Sequence, residues 1–163
     1  MLIGVVSDTH NNLKNIDLII SIFNAEEVNL VIHTGDITSS KSLEKFLKLD
    51  ADLIGVYGNN DRNEVGLAEI ANKYNFQFQQ PPNILTINNK KIAIFHEPDF
   101  IESFLVKNDE IDIVIHGHTH RYRNEKIKDV LIFNPGESAG MQKGKNAIGL
   151  VNLESLEIKR IFF

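Results

Sequence analysis

Short apolar runs, each stopped abruptly by polar residues, dominate the pattern along the chain. Leu2 to Val6 gives way to Ser7-Asp8-Thr9-His10, Leu30 to Ile32 to His33-Thr34-Gly35-Asp36, and Leu53 to Tyr57 to Gly58-Asn59-Asn60-Asp61. Ile92 to Phe95 leads into His96-Glu97-Pro98, and Ile111 to Ile115 into His116-Gly117-His118-Thr119-His120. Runs that are apolar on consecutive residues predict strands covered on both faces, because a half-exposed strand alternates.

Between the first three runs the period changes. Leu13, Ile16, Ile19, Ile20 and Phe23 form one helical face within Asn12 to Asn24, with Asn12 as the cap. Ser39 or Ser40 is placed to cap a second helix through Leu47, and Asn63 a third through Tyr74. Strand, helix, strand in succession predicts right-handed crossovers and a parallel sheet. After Arg121, the runs Asp129 to Asn134, Ala147 to Leu153 and Leu156 to Phe163 predict an antiparallel second half. The sum is an α/β fold of two packed sheets with helices outside. Without repeats, low-complexity tracts or linkers, residues 1–163 are expected to form one domain, with Pro81-Pro82 marking a loop midway.

In open α/β sheets ligands bind beyond the carboxyl ends of the strands. All five polar stops fall on that edge, and every one of the 6 histidines lies within them. Scattered surface histidines would not be so confined.

Composition changes this picture only in places. The chain has 42% hydrophobic and 24% charged residues, ordinary for a folded soluble protein. The absence of cysteine excludes thiolate, so any metal must be held by oxygen and nitrogen donors. The net charge of -5 argues against a stable nucleic-acid partner. The N-terminus lacks the basic region of a secretory signal, and no apolar run approaches the ~20 residues of a membrane span. A cytoplasmic enzyme without a membrane partner is expected.

Asp8, His10, Asp36, Asn59, His96, His118 and His120 bring seven side-chain donors to one end of the fold, enough for two metals that share a carboxylate. Carboxylate, imidazole and amide suit Mn, Fe, Zn, Ni or Co rather than Mg or Ca. Two divalent cations less two carboxylates leave roughly +2, local positive charge that an anionic phosphate needs and the acidic chain does not otherwise supply.

Asp8-x-His10, Gly35-Asp36, Gly58-Asn59-Asn60-Asp61, His96 and Gly117-His118-Thr119-His120 resemble, in order, the blocks of the calcineurin-like metallophosphoesterase superfamily. The length and the Asn134-Pro135-Gly136-Glu137 segment are similar to its small prokaryotic phosphodiesterase branch. The resemblance implies a four-layer α/β/β/α sandwich. It implies one metal on Asp8, His10, Asp36 and His120, and a second on Asp36, Asn59, His96 and His118. Asp36 would bridge them, with a hydroxide between the metals attacking phosphorus of a phosphate ester in line. Asp36, Asn59, Asn60 and His96 are the residues it places closest to the chemistry.

Two positions depart from that pattern. The block that usually reads Gly-Asn-His-Asp or Glu, whose histidine is thought to protonate the leaving group, has Asn60 instead, which has no proton to give. The usual Gly-His pair after the fourth block is absent, because Glu97-Pro98 follows His96.

Blander readings stand beside these. Asp8 could cap a helix, Asp36 could be a turn residue and Asn59 a loop amide; only the array raises them to ligands. His33 reads as a buried, hydrogen-bonded imidazole. His116 divides evenly between orienting a ligand and simply ending a strand. Asp61 reads as a loop or ligand brace, Arg62 and Arg121 as solvated, Asn134 to Glu137 as a turn, and Lys143 and Lys145 as a hairpin tip. The expected partner is a phosphate-ester substrate, with a homodimer compatible. The alternative is a non-catalytic interaction scaffold of the same fold, like the retromer subunit among the eukaryotic relatives, which has lost a histidine ligand.

Overall fold

The computed structural model describes residues 1–163. Its elements run β1 (Leu2–Val6), α1 (Leu13–Ala25), β2 (Leu30–His33), α2 (Ser40–Lys45) with a 3-10 turn (Phe46–Lys48), β3 (Asp52–Val56), α3 (Leu67–Lys73), β4 (Gln77–Gln79) and β5 (Asn83–Ile87). There follow β6 (Lys90–Ile94), α4 (Ile101–Lys107), β7 (Ile113–Ile115), β8 (Arg123–Ile127), β9 (Val130–Asn134), β10 (Ala147–Asn152) and β11 (Ile158–Phe162). One sheet has the order β11-β10-β1-β2-β3-β4 and the other β5-β6-β7-β9-β8.

The consecutive apolar runs divide by period two between different cores. Ile3, Val5, Leu30, Ile32, Ile54 and Val56 of the first sheet meet Ile92, Ile94, Ile113, Ile115, Leu131 and Phe133 of the second. The alternate residues Val6, Val31 and Leu53 face outward onto Ile16, Ile19, Ile20 and Phe23 of α1 and Leu43 and Leu67 of α2 and α3. On the far side Ala93, Val114 and Ile132 pack against Ile101 and Leu105 of α4. Each such fully buried aliphatic side chain contributes roughly 1.5–3 kcal/mol. The layers are helices, sheet, sheet, helix, as expected. No helix is long and apolar enough to cross a membrane.

The caps behave as anticipated at two helices. The Asn12 side chain accepts from the Asn15 N–H at 3.1 Å, and Ser39 Oγ accepts from the Ser42 N–H at 3.2 Å. The third helix starts later than its pattern predicts, at Leu67 rather than beside Asn63, because Gly66 enters it in the left-handed region at φ 93°. The second half also differs. β9 runs parallel to β7 and antiparallel to β8, while β10 and β11 leave the second sheet and extend the first antiparallel beside β1. Both sheets are therefore mixed.

Candidate metal centre

The first two strands end in loops that tie to each other. The Asp8 N–H donates to the Gly35 carbonyl at 3.1 Å and the His10 N–H to the Asp36 carbonyl at 2.9 Å. Asp8, His10, Asp36, His118 and His120 all have left-handed backbone, with φ of 51°, 44°, 58°, 66° and 55°. Non-glycine residues hold that conformation only where their surroundings over-determine it, and such residues cluster at functional sites. Two glycines make the convergence possible. A Cβ at Gly58 would lie 2.2 Å from Asp36 Oδ1, and one at Gly117 would lie 2.0 Å from Ser7 Oγ and 3.0 Å from Asp8 Oδ2.

Asp61 braces the second and third loops. Its Oδ1 accepts from the N–H groups of Ile37 and Thr38 at 2.8 and 2.7 Å, and its Oδ2 from those of Asp36 and Gly58, both at 2.8 Å. It is a loop brace, one of the roles its position suggested. Asp61→Asn replaces one acceptor by an amide that cannot accept, leaving two buried backbone donors unpaired at about 1 kcal/mol or more each. Stability is expected to fall by about 2 kcal/mol, or ~4–8 °C in melting temperature, which a thermal scan of wild type and variant would read.

Asp36 lies at the middle of the cluster. Its Oδ1 accepts from the Asn60 N–H at 2.9 Å and its Oδ2 from Asn60 Nδ2 at 2.7 Å. Oδ1 is also 3.4 Å from His96 Nε2, and Oδ2 is 3.9 Å from His10 Nε2. Burial pushes this carboxyl up, but the His96 imidazole and the two Asn60 donors outweigh it and hold Asp36 well below the usual carboxylate range. Asp8, fully buried, is pushed up by that burial despite the Ser7 hydroxyl bonded to it.

His96 bonds the Thr34 carbonyl through Nδ1 at 2.8 Å, which turns Nε2 toward Asp36, Asn59 and His118. Burial opposes charge on this ring, but Asp36 wins and its pKa is raised; a proton and a cation would compete for the same nitrogen. Asn59 Oδ1 is 2.9 Å from His96 Nε2 and 3.0 Å from His118 Nδ1, and the two imidazole nitrogens are 3.3 Å apart. Donor atoms bound about 2.1 Å from one cation stand ~3.0–3.4 Å from each other, so this spacing is compatible with a shared cation.

On the other side, His120 Nε2 is 3.6 Å from Asp8 Oδ1. His10 Nε2 is buried with no hydrogen-bond partner, a donor atom that a cation would engage. Two triads have donor atoms within 4.8 Å of one another: Asp8, His10 and His120, and Asp8, Asp36 and His96. Asp8 thus takes part in both, whereas Asp36 was the expected shared residue. The residues present fit divalent cations.

All eight residues anticipated from the sequence gather on this edge. Asn60 faces Asp36 with both its donors, so its role here is to orient that carboxylate. His33 is buried, accepts from the Gly35 N–H at 3.1 Å and contacts Thr9 Oγ1 at 3.0 Å; burial pushes it down to about 3, so it is neutral. His116 is also buried and pushed down, to about 4, with its Nδ1 3.1 Å from the Gly117 carbonyl.

Glu137 and Asn134 do more than form a turn. Buried Glu137 lies 3.6 Å from His120 Nδ1 and accepts from the N–H groups of Met141 and Gln142. Asn134 Nδ2 donates to the Gly117 carbonyl at 3.0 Å and to Thr119 Oγ1 at 3.2 Å, bracing the loop that carries His118 and His120. The signal was there, since Val130 to Phe133 is one more apolar run with a polar stop.

Comparison with known proteins agrees with this geometry. The chain is 38% identical over 99% of its length to Phosphodiesterase MJ0936 of Methanocaldococcus jannaschii, covering 98% of that protein. A solved structure described as a novel archaeal phosphodiesterase superposes with a TM-score of 0.90 at 37% identity, with all of both chains covered. Zinc-complexed Vps29 of Entamoeba histolytica shares the fold at a TM-score of 0.71 and 18% identity, over 99% of each chain. Residues 1–156 match the calcineurin-like phosphoesterase superfamily domain, and the chain belongs to that superfamily.

Proposed function

We propose that this chain is a metal-dependent phosphodiesterase whose residues 1–163 act as one domain. The observation that carries the reading is the packing of Asn59, His96 and His118 donor atoms 2.9–3.3 Å apart, with Asp36 Oδ1 3.4 Å from His96 Nε2, beside a buried His10 nitrogen that makes no hydrogen bond. Asp8, His10, Asp36 and His120 would hold one cation and Asp36, Asn59, His96 and His118 the other. Asp36 is favoured as the bridge because its two oxygens face histidines of different sets. When bound, divalent cations supply a water of lowered pKa, from ~15.7 toward ~7, and draw charge from the phosphate oxygens. Mn, Ni, Co, Fe and Zn suit these donors.

The protein's own groups do the positioning. Asn60 pins both oxygens of Asp36, and Asp61 fixes the loops on which Asp36 and Asn59 stand. The Thr34 carbonyl selects which nitrogen of His96 faces inward. The filled ligand positions favour catalysis over the scaffold reading. A cytoplasmic setting, a homodimer and the lack of a stable nucleic-acid partner belong to the same proposal.

A panel of phosphate esters run with Mn, Ni, Co, Zn and Mg tests it, and no turnover with any of them overturns it. Within that panel, diesters of increasing leaving-group pKa bear on Asn60. General acid catalysis contributes ~10² to 10⁴ and matters most for basic leaving groups. Activated aryl diesters are therefore expected to react readily and alkyl esters poorly, with Asn60→His flattening the slope. A flat wild-type profile would show that another acid serves the leaving group.

A further inference from the structure

Two arginines flank the candidate centre, and the structure treats them differently. Arg62, beyond Asn60 and Asp61, is closed off by an ion pair with Glu97 at 2.9 Å. Arg121, which follows His120, makes no ion pair and no side-chain hydrogen bond; only its backbone N–H is engaged, by Thr119 Oγ1 at 3.3 Å. It lines a depression of about 540 Å³ together with Pro98, His118, Thr119, Tyr122 and Arg123. His118 is common to this depression and to the donor cluster, so the two are continuous. The charged groups that line it are Arg121 and Arg123, of which Arg123 is paired with Glu125 at 2.6 Å, and no carboxylate lines it. Tyr122 is held by the Arg160 guanidinium, 4.6 Å from its ring centre. In a chain of net charge -5, an exposed, unpaired guanidinium beside the reaction centre is a charge looking for an anion.

Resting on the phosphodiesterase reading above, we propose that this depression receives the part of the substrate that carries a second negative charge. Arg121 pairs with a phosphate or carboxylate on one arm of the diester and is a specificity-determining residue. A guanidinium is suited to this by its planar fork of donors, which matches either anion. The reacting phosphate then sits at the donor cluster and the charged arm extends past His118. The substrate class is a phosphodiester with an additional anionic group rather than a simple neutral-armed one.

Equilibrium binding to the metal-loaded protein separates this proposal from the catalytic reading. Ethylphosphonate and 2-carboxyethylphosphonate, both inert to hydrolysis, differ by the carboxylate group that carries the second charge. Wild type is expected to bind the carboxylated compound about fivefold more tightly, as a partly exposed ion pair allows, and the preference should shrink as salt is raised. Arg121→Gln should lose that preference while keeping its affinity for ethylphosphonate, and Arg62→Gln should retain it. Equal binding of the two compounds by wild type overturns the subsite but leaves the metal centre intact. Loss of preference in Arg62→Gln rather than Arg121→Gln also overturns it, since the pairing would then lie on the other side. Binding of neither compound by the metal-loaded protein overturns the reading of the centre as a phosphate site, and the subsite with it.

Discussion

Asp36→Asn is expected to lower kcat/KM for an aryl phosphodiester by about 10³-fold or more, with His33→Gln costing far less. The reasoning starts from where the Asp36 oxygens point. One is 3.4 Å from His96 and the other 3.9 Å from His10, so a single carboxylate serves both sides of the cluster. Amide replacement keeps the shape but removes the charge and one acceptor. Charge stabilisation by bound metal is worth several kcal/mol, on the order of 10³ in rate. His33 is neutral and does no more than tie Thr9 to Gly35, the kind of outer support whose loss typically costs ~10- to 100-fold at most. Parallel kinetics of the two variants decide the point, and equal losses would remove Asp36 from the bridge. Because Asp8 belongs to both donor triads, Asp8→Asn belongs in the same series. A larger loss there would move the bridge to Asp8.

Chelation should abolish hydrolysis and also lower the melting temperature by roughly 5–15 °C. Asp8 and Asp36 are buried close together, and His10 holds an unpaired nitrogen toward them. A ligand that binds only the folded chain stabilises it by ~2.7 kcal/mol at a hundredfold and ~4.1 kcal/mol at a thousandfold excess over Kd. For a chain of this size each kcal/mol moves the midpoint by ~2–4 °C. Differential scanning calorimetry before and after verified removal, with Mn restored in a third sample, gives the answer. An unchanged midpoint together with unchanged activity would sink the metal-centre reading.

What was legible in the sequence follows from burial. Strands β1, β2, β3, β6, β7, β9 and β10 are covered on both faces and so read as unbroken apolar runs. The polar stops of all but β10, which runs the other way, are the site. Edge strands lack that signature. β8 reads Arg123-Asn-Glu-Lys-Ile127 and is exposed over most of its length, and β4 is the three residues Gln77-Phe78-Gln79. Such strands are held by ladder hydrogen bonds to a neighbour, which no local pattern announces. Helix α4 buries Ile101 and Leu105 alone, too short a face to establish a period. The assignment of β10 and β11 to the first sheet rests on pairing across more than 140 residues of chain, from Leu2 to Asn152, beyond the reach of any window. At the site, residue types revealed the ligands, but the brace supplied by Glu137 depended on its burial, which turn-like neighbours concealed.

The left-handed backbone at Asp8, His10, Asp36, His118 and His120 has an evolutionary consequence. Each such position stores roughly 1–3 kcal/mol of strain, so the five together rival the ~5–15 kcal/mol net stability of an ordinary domain. Glycine would relieve that strain at any of them, and asparagine part of it, while discarding the donor. Selection for folding and selection for chemistry therefore pull in opposite directions at the same codons. A descendant released from catalysis would gain stability by drifting to glycine at His118 first, the exposed one of the five. Retention of all five side chains is thus a mark of continuing use rather than of structural need.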